Sequence, residues 1–130
     1  MRKEQIISKG KYTRQQPEGL IGAKQYLFIR DENGMKRLLL RFSNNRNEFC
    51  SKFAFVVYQL DVKGNVLGQE RLESAGGGFG PKAIFAFDQK IEVEERCTDI
   101  IVQLVYARYG NYTYHVENEE ISVTYSDKNS

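Results

Sequence analysis

"AIFAFDQKIEV" (residues 83–93) alternates apolar and polar side chains along its length. Phe85, Phe87, Ile91 and Val93 fall on one face, while Asp88, Lys90 and Glu92 fall on the other. A period of two is the signature of a strand with one face on a core and the other in water. "RLLLRFS" (37–43) repeats it, sending Leu38, Leu40 and Phe42 inward and Arg37 and Arg41 outward. "EISVTYS" (120–126) predicts a third half-buried strand, with Ile121, Val123 and Tyr125 on one face.

Two runs are apolar almost throughout: "KFAFVVYQL" (52–60) and "DIIVQLVYA" (99–107). Their Val, Ile, Tyr and Phe content suits central strands flanked by neighbours. Turn signals separate the runs. Asn33-Gly34 in "RDENGMK" predicts a type I′ hairpin, since that turn needs positive φ at both central residues. Gly64-Asn65 and Gly110-Asn111 mark two further turns. Roughly eight strands and no helix predict an all-β chain, an antiparallel β-sandwich of immunoglobulin-like type.

At 130 residues the chain is one domain, residues 1–130. Residues 1–20 carry the least regular pattern, and 126–130 read as a polar tail or linker. The net charge is +2, with acids and bases mixed, so no basic face points to nucleic acid. Two cysteines, Cys50 and Cys97, are too few for a disulfide scaffold. Both lie in polar stretches, which predicts free thiols and a reducing compartment. No apolar leader follows "MRKEQIISKGK", and no stretch is long enough to span a bilayer. These features predict a cytoplasmic chain with no membrane span.

"SAGGGFGPKAIFAF" (74–87) invites comparison with phosphate-binding loops. A P-loop needs Lys followed by Ser or Thr at the mouth of a helix, but Lys82 is followed by Ala83 and then by strand alternation. Gly76 to Gly80 are therefore expected to form a flexible connection, with Pro81 starting the next strand. Phe79, a lone aromatic in that loop, is a candidate partner contact. The single histidine, His115, shares no ligand spacing with either cysteine, so no metal or cofactor is expected. No nucleophile sits in a recognisable elbow. Asp31, Glu32 and Asn33 read as a tight turn, and Glu92, Glu94 and Glu95 as solvated acids.

"YARYGNYTYH" (106–115) crowds Tyr106, Tyr109, Tyr112 and Tyr114 onto one hairpin with Arg108. Tyr106 and one partner are expected to fill the core edge, the rest making cross-strand pairs. Tyr and Arg also concentrate in protein-binding and sugar-stacking patches.

The order "LLLRFSNN", "FAFVVYQLDVKGNVLG", "GPKAIFAFDQKI" and "CTDIIVQLVYARY" resembles FxLYD-type domains and their immunoglobulin-like relatives in Gram-positive bacteria. Phe55, Tyr58 and Asp61 partly match that family's Tyr-Asp element, and Pro81, Lys82 and Phe85 its proline-glycine-glutamate element. Gln59 and Leu60 separate the Tyr from the Asp, and Lys82-Ala83 replaces glycine-glutamate. The resemblance covers roughly residues 36–109. It implies a contact-mediating sandwich, often an extramembrane part of a larger envelope protein, and it brings no catalytic residue. The sequence thus predicts a non-catalytic interaction module, not an enzyme, binding a protein partner or itself. A carbohydrate-binding module using the tyrosine hairpin is the alternative.

Overall fold

The structure, a computed structural model, describes residues 3–74, 78–87 and 89–126. Ten strands carry the fold, and no helix occurs among the described residues. They are β1 (Gln5–Lys11), β2 (Ile21–Arg30), β3 (Lys36–Asn44), β4 (Cys50–Leu60), β5 (Val66–Glu73), β6 (Ile84–Ala86), β7 (Ile91–Glu92), β8 (Asp99–Tyr109), β9 (Tyr112–Glu117) and β10 (Glu120–Tyr125). One sheet runs β1-β2-β3-β6, with β7 also on β3. The other runs β10-β9-β8-β4-β5. All pairings are antiparallel.

The chain crosses between sheets after β3, β5 and β7, so strands distant in sequence become neighbours. With β2 and β3 as strands A and B, and β6 and β7 as E, one sheet reads A-B-E. The other reads C′-C-F-G, with β5, β4, β8 and β9 in those places. That is the immunoglobulin-like arrangement, extended by β1 and β10 at its margins.

Alternation explains the core. Leu38, Leu40 and Phe42 on β3 face Phe53, Phe55 and Val57 on β4, and all six are buried. Phe42 anchors the centre, with ring centroids 4.8 Å from Phe55, 5.1 Å from Phe53 and 5.9 Å from Phe87. The two continuous apolar runs are β4 and β8, central as expected because each has a strand on both sides.

Several expectations need correction. Residues 83–93 form two short strands rather than one. Phe87 N–H donates to the Leu40 carbonyl and Ile91 pairs with Leu38, so both side chains keep to the buried face. Pro81 does not begin a strand. It sits second in a turn closed by Ala83 N–H donating to the Gly80 carbonyl, with Lys82 at φ 58° in third place.

The β2–β3 turn is not type I′ either. Gly34 alone takes positive φ and donates to the Asp31 carbonyl, while the Asp31 carboxylate accepts from Asn33 and Met35 N–H. Asp61 builds the same turn before Gly64, accepting from Lys63 and Asn65. The type I′ pattern occurs at Asn118-Glu119, where φ is 49° and 67°.

Of residues 1–20, expected to be the least regular, residues 3–20 hold more order than their pattern suggests. The Tyr12 hydroxyl accepts from Val102 N–H at 2.8 Å, and Arg14 donates to the Ile100 carbonyl at 3.2 Å. These side chains occupy the margin of β8 that β9 leaves open, since β9 pairs only with Tyr106–Tyr109. Both cysteines are free, yet both are fully buried rather than set in polar surroundings. Burial pushes the Cys50 thiol up to about 11.

Candidate functional site

The tyrosine hairpin does not form one platform. In the β4–β8 ladder Ala54 faces Tyr106 and Phe55 faces Leu104, which leaves Val105 as an extra residue. One extra residue exchanges the faces of everything beyond it. Ile100 and Val102 point inward before the bulge, and Ala107 and Tyr109 do so after it. Tyr106, expected at the core edge, therefore lies on the outer face and is half-buried. Burial raises its hydroxyl's pKa, reinforced by Glu73.

Tyr109 is fully buried and takes no part in a surface. Its hydroxyl donates to Asn44 Oδ1 at 3.0 Å. Asn44, also fully buried, donates to the Glu48 and Gly80 carbonyls at 2.9 Å and accepts from Arg46 N–H at 3.3 Å. Arg46 then covers Tyr114: its guanidinium carbon lies 4.6 Å from the ring centre, and Nη2 donates to the hydroxyl at 2.6 Å. Arg108 is only 8% exposed and donates to the Gly110 carbonyl.

Phe79 is not a free contact on a flexible loop. It exchanges two backbone hydrogen bonds with Cys50 and stacks on Phe85 at 3.8 Å with ring planes 7° apart. Gly78 fits beneath Phe49, where an added Cβ would meet the ring at 2.2 Å. The C-terminal half of the glycine loop is thus a pinned structural element. Gly76 and Gly77 lie outside the described residues, as do Asp88 and residues 127–130.

Of the six candidates, Tyr112 alone is openly exposed, at 48%. It belongs to a face that continues onto β10, where the expected grouping holds and the expected burial does not. β10, expected to be half-buried, is exposed at every position. Yet Ile121, Val123 and Tyr125 share the inner face of the sheet. Two rows run across β8, β9 and β10 on that face: Ala107-Tyr114-Val123 and Tyr109-Tyr112-Tyr125. Both begin fully buried and end in solvent, Val123 at 51% and Tyr125 at 61%. Tyr114 and Val116 still pack on the core, whereas Tyr112 and Tyr125 tilt against each other at 5.1 Å. The apolar face of the second sheet therefore extends past its cover.

A groove of about 680 Å³ lies beside this hairpin, between Val116 and Ile121, the margin of β8 at Ile101–Leu104, and Tyr12–Pro17. His115, on the outer face, sits 3.0 Å from the Thr124 hydroxyl. Among the described residues, no group of three or more His, Cys, Asp or Glu side chains is placed to hold a metal ion. None of their helices is long and apolar enough to cross a membrane, since there is none. The acids Glu92, Glu94 and Glu95 each meet an arginine: Arg37, Arg96 and Arg30. No family model, curated protein or solved structure matches the chain.

Proposed function

We propose that this chain is a non-catalytic interaction module whose inner β9–β10 face binds protein. The observation that carries this reading is the contiguous apolar face formed by Tyr112, Ile121, Val123 and Tyr125. Each of the four is 45–61% exposed, on the paired strands β9 and β10. An apolar patch that continues the core and keeps its aromatic residues in water marks an interaction site. Tyrosine supplies large contact area at small entropic cost.

A sugar-stacking platform has weaker support. The exposed rings meet at 57° rather than lying coplanar, Val116, Ile121 and Val123 on that face offer no hydrogen bonds, and the Tyr114 hydroxyl already accepts from Arg46.

Capture from lysate with the parent chain and with a Tyr112→Lys, Tyr125→Lys variant tests the reading, alongside a glycan array. The expected result is protein capture lost in the variant and a blank array. Glycan binding that depends on the same two tyrosines would transfer the site to the carbohydrate reading.

A further inference from the structure

The four margins of the two sheets are treated differently. β1 has a register shift between Ile6 and Ser8 and carries Lys9 and Lys11. β5 carries Glu70, Arg71 and Glu73 and shifts register near its start. The β6/β7 margin is broken into pieces of three and two residues. Bulges, charges and short strands are the devices that stop an edge from recruiting another strand. β10 is the least protected of the four. Its ladder to β9 runs without a shift from Glu120 to Tyr125, and Glu120 is its only charged residue.

The open backbone groups on β10 belong to its apolar positions. Ser126 N–H donates inward to Asn111, and alternation turns Ser122 and Thr124 the same way. Ile121, Val123 and Tyr125 consequently direct their N–H and C=O away from β9. We infer that β10 pairs antiparallel with β10 of a second copy, about a two-fold axis through Val123. This rests on reading the hairpin as the contact surface, and it names the partner.

The register follows from symmetry. A two-fold axis normal to the sheet keeps inner residues opposite inner residues. With Val123 on Val123, Ile121 faces Tyr125 of the other copy, Ser122 faces Thr124, and Glu120 faces Ser126. The rows then read Tyr114-Val123-Val123-Tyr114 and Tyr112-Tyr125-Ile121-Val116, apolar from core to core. Centring on Ser122 instead sets Tyr125 against Glu119, and centring on Thr124 takes Ile121 outside the overlap of the described residues. A six-residue edge is a small interface, so association depends strongly on concentration.

Sedimentation of the parent chain from about 10 μM to about 1 mM should show its mass double. Val123→Lys and Val123→Glu each place like charges directly opposite, so each alone should stay at single-chain mass. An equimolar mixture should restore the doubled mass, because Lys then faces Glu. Circular dichroism should show that both variants, altered at a half-exposed position, remain folded. A parent chain that stays single throughout, or a mixture that fails to reassociate, overturns the inference. If the parent stays single while lysate capture still depends on Tyr112 and Tyr125, the contact surface stands and only the second copy is lost.

Discussion

The Tyr109 hydroxyl donates to the Asn44 side-chain oxygen at 3.0 Å, joining the end of β8 to the end of β3 across the sandwich. Through Asn44 it also fixes the Glu48 and Gly80 carbonyls, the two loops at that pole. Asn44→Ala should destabilise by about 3 kcal/mol, because it strands several buried polar groups at once. Tyr109→Phe removes one bond and should cost about 1 kcal/mol. Denaturant titration of both variants checks the ratio, and equal losses would refute the hub.

The glycine loop offers a paired test. Gly78 takes φ 70°, and an added Cβ would also lie 2.9 Å from the Cys50 carbonyl oxygen. Gly78→Ala should cost about 1–3 kcal/mol. Gly80 has nothing within 4 Å of an added Cβ and no positive φ, so Gly80→Ala should be neutral or gain up to about 1 kcal/mol. Thermal melts that fell equally would mean the loop is not pinned at Gly78.

Much of this was legible in the sequence. Alternation identified the β3 face and the Phe87-Ile91-Val93 face, and continuous apolarity identified β4 and β8 as central. The candidate site was legible only in part, because its faces depend on Val105. A bulge needs a partner strand to define it, and nothing in "VQLVYARY" announces which residue is extra. The exposure of β10 was hidden for a similar reason. Ile121, Val123 and Tyr125 do share a face, but whether anything covers it depends on the opposing sheet. The role of Asn44 depends on groups up to 65 positions away.

Glu119 holds positive φ in a type I′ turn whose favoured residue there is glycine. Glu119→Gly should therefore stabilise by about 0.5–1 kcal/mol, after the greater freedom of glycine in the unfolded chain is offset. A lowered melting temperature would show that the Glu119 side chain makes a compensating contact.

Acid should weaken the fold through Asp31, Asp61 and Glu95. Hydrogen bonds from Met35 N–H and Arg37 hold Asp31 below the usual carboxylate range, Asn65 does so for Asp61, and Arg30 for Glu95. Groups depressed in the folded state stabilise it above their unfolded pKa, about 4. That contribution is lost as pH falls through the lower folded values. Melting temperature should be flat from pH 7 to about 5 and drop below about 4. Asp31→Asn, which keeps the Oδ1 acceptor, should make the drop shallower. An unchanged acid profile in that variant would remove Asp31 from the explanation.

Hydrogen exchange read residue by residue tests the β10 contact surface most directly. In dilute solution the amides of Ile121, Val123 and Tyr125, which face away from β9, should exchange quickly, and those of Ser122 and Thr124 slowly. Raising the concentration into the associating range, or adding a captured partner, should slow Ile121, Val123 and Tyr125 while β1 and β5 stay unchanged. Protection that arose on β1 or β5 instead, or nowhere at all, would contradict the account.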